Sequence, residues 1–409
     1  MNLNLIPKDS IIQQFLTLGK FTEIPYSYLT AIGLSGISHL LKRNVIFKVG
    51  KMQVTPNLSV ILIGLAGVGK GQAMTLGLRY ILRPFSPDRQ VRGATSEGIA
   101  QHFHNVHKTL GEDPVCGYLI YGELASGIGK KDYQQGIIPT LTDILSDEDS
   151  YSHATRHDPI VIPHPTLVVQ AGSTPEWFHR LPQDAIEGGF LPRFLIVSEN
   201  KGRPPIPRPE EFMDADDFKA EKEAEINLKD FVYWLLDTFK GKTYHIFFEA
   251  EAGQMYDQWY CNRFSEFGPL VQGYAQRSRA MVIRLAMLMA ISRRKKMITI
   301  PDVEFSLGFL RYNMERLEAA MLPPTEEARC VEAIFASLPA TSNELIQALR
   351  SKFNSMLVLK TLFMLRDTKE IVKRVANGEE MWYNSKTKEK HEDTNTSAQE
   401  GRNHQAGEV

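Results

Sequence analysis

The chain has 409 residues with 47 basic against 48 acidic side chains, so bulk charge gives no reason to expect a nucleic-acid or membrane surface, and any such surface must be local. The length accommodates about two or three domains, and the three cysteines, Cys116, Cys261 and Cys330, are too far apart for a zinc site or a disulfide framework. No run reaches the roughly 20 apolar residues of a membrane span and the first residues lack a signal-peptide pattern, which predicts a cytoplasmic chain with no membrane partner.

Residues 1–55 read as helical, with an apolar period through Tyr28–Leu41 and a short strand pair around Val45–Val49 and Met52, a helical collar ahead of the core. The apolar run Leu58–Ile63 then feeds Gly64-Leu-Ala-Gly-Val-Gly-Lys70-Gly71. A strand ending in closely spaced glycines lets backbone N–H groups turn inward around a polyphosphate, and the helix that follows offers its positive end. Gly64, Gly67, Val68, Gly69, Lys70, Gly71 and Gln72 are therefore candidate nucleotide-binding residues, with Lys70 reaching the β- and γ-phosphates. The last motif position normally brings a Ser or Thr hydroxyl to magnesium, and here it is Gly71.

From Leu58 to about Glu199 apolar strands alternate with helical segments, the pattern of a parallel sheet with helices on its faces. Strands are expected at Val60–Ile63, Gln90–Gly93, Tyr118–Tyr121, Thr166–Ala171 and Phe194–Ser198, giving a core over 56–200. An ATPase with such a loop needs a second strand that ends in acidic residues; the candidate, Tyr118-Leu-Ile-Tyr-Gly-Glu123, puts Glu123 where a catalytic base for water would sit, but the neighbouring magnesium-binding position is Gly122. Gly127-Ile-Gly-Lys130-Lys131-Asp-Tyr133 reads as a loop, and Ser150–Ile162 as a hairpin with His153, Arg156 and His157 near its tip. In a ring both would face a central pore and hold nucleic acid; no ligand spacing supports a metal at the histidines. Leu167–Thr174 ends in small polar residues, where Ser173, Thr174 or Gln170 either touches a γ-phosphate or caps the strand. Arg193, in a Gly/Pro-punctuated turn before a strand, reads as a trans-acting arginine finger or a surface ion pair.

The Pro-rich stretch 200–215 is a connector to a helical region over 216–322, where Ala280–Ala290 is apolar on nearly all sides except Arg284. Residues 325–385 give three helices and two strand-like runs across Asn377-Gly378, a winged-helix-like arrangement that serves DNA or a protein equally well. Residues 386–409 are polar and charged, the composition of a disordered tail.

Pro25-Tyr-Ser-Tyr-Leu-Thr-Ala, Pro56-Asn57, Tyr121-Gly-Glu-Leu-Ala-Ser126, His164-Pro-Thr-Leu167 and Gly189-Phe-Leu-Pro-Arg-Phe-Leu195, in this order, resemble phage- and mobile-element-encoded replicative helicase/primase-type ATPases near the superfamily-3 and AAA+ helicases, over about residues 20–320. The resemblance implies an α/β fold with a P-loop NTPase (AAA+/RecA-like) core, a helical lid, and a ring-forming, hexameric motor on single-stranded DNA. It implies ATP and Mg2+ as cofactors, Lys70 on phosphate, Glu123 as base, Arg193 as trans finger and Arg284 as lid arginine. It also implies a bacterial host cytoplasm and replication partners such as a primase, since no priming cluster is evident in this chain. Gly71 and Gly122 depart from the family pattern, which leaves two further readings: a nucleotide-binding loading scaffold with weak turnover, and a protein-remodelling ATPase.

Overall fold

The computed structural model describes residues 2–91, 95–124, 137–146, 149–153, 160–178, 189–262, 272–321, 326–376 and 379–385. The chain forms two compact units, Met1–Leu322 and Pro323–Val409.

The first unit runs α1 (Ile11–Leu18), α2 (Tyr26–Leu41), β1 (Val45–Val49), β2 (Met52–Val54), β3 (Ser59–Ile63), α3 (Lys70–Gly77), α4 (Ser96–Leu110), β4 (Cys116–Tyr121) and α5 (Ile137–Ile144). It continues with β5 (Ser150–His153), β6 (Ile160–Pro163), β7 (Thr166–Ser173), β8 (Phe194–Ser198), α6 (Ala215–Phe239), β9 (Tyr244–His245), α7 (Ala250–Asn262), α8 (Gln272–Ser292) and α9 (Ile300–Met321). Its centre is a four-stranded, all-parallel sheet in the order β4-β7-β3-β8. β3, β7 and β8 are buried along their whole length, which is why β3 and β8 read as near-continuous apolar runs rather than alternating ones; β7 also carries Gln170, whose Nε2 donates to Ser35 Oγ of α2 at 3.2 Å. Beyond β4, Gln90 makes an isolated parallel bridge to Tyr118. The strand expected at Gln90–Gly93 is represented by this bridge, with residues 92–94 outside the described set.

Ile63 of β3 is in register with Ser173 of β7 and Ser198 of β8, so the three strands end on one line. The segment after each strand therefore opens onto the same carboxyl edge of the sheet, where ligands of open α/β sheets bind.

α2, expected within a separate collar, instead lies inside the core of the unit. It packs on β3, β7, β8 and β4 with one side and on α1, α3, α6 and α8 with others, so nearly every residue from Ser27 to Leu41 is buried. A helix enclosed on all sides has no polar face to reveal, which explains why periodicity alone misplaces it. β1 pairs antiparallel with β2 and parallel with β9 in a small separate sheet. β5 and β6 pair antiparallel, as the hairpin reading expects; its tip, with Arg156 and His157, lies outside the described residues, and so do Lys130 and Lys131.

α8 is buried on all sides from Met281 to Ile291. At its end Arg293 joins Asp302 of α9 at 3.0 Å and Asp9 at 2.8 Å. Asp302 is fully buried and also accepts from the Thr299 amide at 2.8 Å and hydroxyl at 2.7 Å, which ties the start of α9 to the end of α8. Among the described residues no helix is long and apolar enough to cross a membrane.

The second unit holds α10 (Glu326–Ala336), α11 (Ser342–Leu349), α12 (Ser355–Asp367) and the antiparallel pair β10 (Ile371–Ala376) and β11 (Glu379–Asn384). Thr341 opens α11 with a capping box to Glu344, and Asn354 caps α12. Ala340 bridges Trp382 of β11, and Trp382 donates its indole N–H to Ser342 at 2.8 Å, which pins the hairpin to the helices. A small core of Ile334, Leu345, Val358, Leu362, Ile371 and Trp382 fills the space between them. The 377–378 turn and the 386–409 tail lie outside the described residues.

Candidate functional site

The carboxyl edge is built first by the loop after β3. Gly67 (φ +85°) and Gly69 (φ +93°) adopt left-handed backbone that favours glycine, and Gly69 stands at the N-cap of α3 with no side chain to cap it. The first-turn amides of α3 therefore have no intrahelical acceptors and no side-chain cap, and the helix dipole adds positive potential there. Lys70 donates Nζ–H to the carbonyl of Gly64, and to that of Leu65 at 3.0 Å, so its ammonium is folded back over the loop. Burial lowers the Lys70 pKa, and the nearby Glu123 carboxylate opposes that shift. Val68 is buried beneath the loop, whereas Gly71 and Gln72 are exposed on the first turn of α3.

β7, inserted between β3 and β4, supplies the second element. Ser173 is fully buried, and its carbonyl accepts the Gly64 N–H at 3.1 Å, fixing the start of the loop against the end of the strand. A Cβ on Gly172 would lie 2.5 Å from the Gly122 carbonyl oxygen, so the end of β7 and the segment leading to Glu123 approach each other closely because position 172 is glycine. Glu123 follows β4 by two residues and is half-buried. Lys70, Ser173 and Glu123 are thus brought to one edge of the sheet.

Two other sequence candidates lie at the opposite edge. Arg193 directly precedes β8, and its guanidinium donates to Ser146 Oγ at 2.7 and 3.1 Å and to the Gly189 carbonyl at 2.5 Å. Arg284, expected as a lid arginine over the phosphates, donates Nε–H to the Thr55 carbonyl at 3.2 Å, ahead of β3 and at its amino end. At about 3.3 Å per residue, β3 alone puts roughly 15 Å between that end and the loop. Arg284 is therefore not part of the loop site: α8 packs on β2 and on the Leu191–Arg193 turn, and carries Arg284 with it. His153 has its backbone in β5, at the end of the hairpin strand.

Several residues that sequence reasoning missed complete the edge. Glu199 follows β8; its N–H donates to the Ile63 carbonyl at 2.9 Å, and its carboxylate accepts from Ser27 at 2.5 Å and from the hydroxyl of Tyr312 on α9. Arg316 of α9 lies 3.4 Å from the same carboxylate, so the arginine that the helical region sends to the carboxyl edge is Arg316. Tyr28 donates its hydroxyl to the Ile63 carbonyl at 2.5 Å, and burial, with the Glu199 charge, raises its pKa. A Cβ on Gly64 would stand 2.6 Å from that hydroxyl oxygen and 2.8 Å from the Glu199 carbonyl, so glycine is required there by close packing.

Beside the loop opens a cleft of about 800 Å³. One wall is Gly67, Gly71, Gln72, Thr75 and Leu76; the other is formed by Phe21–Ile24 with Ile206 and Pro209. Phe21, Ile24, Leu76, Ile206 and Pro209 give the cleft apolar surface, interspersed with Thr22, Glu23, Gln72 and Thr75, beside the glycines of the loop, a lining that suits a flat ring with polar edges next to an anion. The only sequence signal for them was Pro25 ahead of α2 and the Pro-rich stretch after β8.

A protein-held magnesium does not fit the residues present. Neither Gly71 nor Gly122 carries an oxygen ligand, and among the described residues no group of three or more His, Cys, Asp or Glu side chains gathers to hold a metal. Neither a protein-family model nor a curated protein matches the chain.

Proposed function

We propose that the first unit is a P-loop ATPase and that the whole chain is a ring-forming replicative DNA motor. The observation that carries the ATPase reading is the joint placement, at one edge of an all-parallel sheet, of a glycine-rich loop entering α3, a lysine over that loop, and a carboxylate one strand beyond β7. In this reading the loop amides and the start of α3 hold the phosphates, and Lys70 leaves its two carbonyl acceptors for the β- and γ-oxygens. Glu123 orients a water and takes its proton, and Ser173 fixes the loop against β7. Magnesium enters as part of the substrate.

A trans-finger role for Arg193 requires a multimer. This arginine is at the far edge from its own loop, held by Ser146 and Gly189, so any phosphate it serves belongs to another copy. The lid role implied for Arg284 passes to Arg316. The second unit's three helices and hairpin, with the Ala340–Trp382 bridge as a short third strand, suit a winged-helix module. DNA and the hexamer rest on the sequence resemblance.

The test is magnesium-dependent ATP hydrolysis with and without single-stranded DNA. DNA-stimulated turnover in the wild type, lost in Lys70→Ala, Glu123→Gln and Arg193→Ala, is the expected result; turnover unchanged in Glu123→Gln would overturn the assignment of the base. A second reading, a nucleotide-binding loading scaffold with little turnover, is favoured by one specific feature, glycine at both 71 and 122.

A further inference from the structure

Five residues beyond β8, Arg203 does an unusual job for a half-buried guanidinium. It donates Nε–H to the Ile24 carbonyl at 2.6 Å, its Nη2 to the carbonyls of Gly19 and Thr22, and reaches Thr22 Oγ1 at 3.2 Å. Its plane rests 3.9 Å from the centre of the Tyr26 ring. The backbone adds two ties: Arg203 N–H to the Glu23 carbonyl at 2.8 Å, and Ile206 N–H to the Glu23 carboxylate at 3.0 Å.

The segment so gathered, residues 19–24 ahead of α2, is an irregular turn closed locally by Thr22, whose N–H and hydroxyl donate to the Gly19 carbonyl at 3.2 and 2.8 Å, and the carbonyls of Thr22, Glu23 and Ile24 find their donors on Arg203. Burial lowers the Arg203 pKa, and the Tyr26 side chain on which it rests opposes that shift. Phe21–Ile24 on one side of the tie and Ile206 with Pro209 on the other are the walls that face the loop and α3 across the cleft. A planar fork can hold three diverging carbonyls at once, whereas a lysine ammonium on its flexible stem cannot keep that spacing.

We propose that Arg203 is a positioning residue for nucleotide selection: it sets the wall against which the base of a nucleoside triphosphate packs, and so governs base recognition separately from phosphate binding. This rests on the ATP-binding reading above. Arg203 touches no phosphate in this scheme; it acts through Phe21–Ile24.

The experiment is calorimetric titration of the full chain with ATP, CTP and inorganic tripolyphosphate for the wild type, Arg203→Lys and Arg203→Ala, with thermal unfolding recorded without ligand. In the wild type ATP binds more tightly than CTP or tripolyphosphate. In Arg203→Lys the ATP affinity falls about tenfold, equivalent to about 1.4 kcal/mol. Tripolyphosphate affinity stays within about twofold of wild type, and the ATP-over-CTP preference shrinks. If Arg203→Ala does not fold, Arg203→Lys decides. An equal loss for ATP and tripolyphosphate, or an unchanged ATP-over-CTP preference, overturns the inference while the phosphate-loop reading stands. A wild type that binds none of the three overturns both.

Discussion

Four glycines at the sheet edge divide by the space around them. A Cβ on Gly71 or Gly122 meets no atom within 4 Å, whereas Gly64 and Gly172 are pressed against Tyr28 and against the Gly122 carbonyl. The departures from the P-loop pattern are thus absent side chains in open space. Gly71→Thr is expected to fold normally and, by giving the metal of MgATP a hydroxyl, to raise magnesium-dependent turnover about tenfold, the effect of one net interaction of about 1.4 kcal/mol; steady-state kinetics reads it. Gly172→Ala forces backbone apart next to Glu123 and is expected to lower turnover by at least about tenfold with ATP affinity little changed; equal losses in both would place the damage in the loop instead. His39 gives a pH dependence. Fully enclosed on α2, with Nε2 2.9 Å from Ser86 Oγ, its pKa is pushed down to about 3 by burial. The unfolded chain takes up this proton below about pH 6.5 and the folded chain does not until about 3, so stability falls as pH drops through that window, by up to about 1.4 kcal/mol per pH unit. Denaturant titrations between pH 6.5 and 4 should show a shallower slope in His39→Gln.

At the scale of elements, the sequence located β3, its glycine loop, β7, β8, the 150–163 hairpin and the buried core of α8, because each is a dense apolar run or a punctuated turn whose signal is local. It could say that Arg284 sits in an apolar helix; it could not say which end of the sheet that helix reaches, since that depends on α8 packing at the amino edge. Glu199, Tyr28 and Arg203 were illegible for the same reason: each works through partners between 35 and 184 residues away. The junction of α8 and α9 is such a long-range device. Arg293→Met leaves the fully buried Asp302 carboxylate without its cationic partner and is expected to cost about 3–5 kcal/mol in chemical denaturation. In the second unit the outward side of α12 exposes Met356, Phe363 and Met364. Lys360 and Arg366 are exposed on the same helix, so any DNA contact made there should weaken as salt is raised.

Across the whole molecule, the strand order is what converts separate motifs into a site. Periodicity predicts strands but not that β7 lies between β3 and β4, and only that order sets Ser173 beside Gly64 and leaves Glu123 one strand further out. The same sheet keeps Arg193 on the far edge from the loop, so a chain acting alone brings it to no phosphate of its own. The most direct measurement is therefore ATP binding and hydrolysis by the wild type beside Lys70→Ala and Arg193→Ala, read together with the concentration dependence of turnover. Lys70→Ala is expected to abolish binding, while Arg193→Ala keeps binding and loses turnover. Wild-type specific activity is expected to rise with protein concentration as copies assemble. ATP binding that survives Lys70→Ala unchanged would rule out the loop as the nucleotide site.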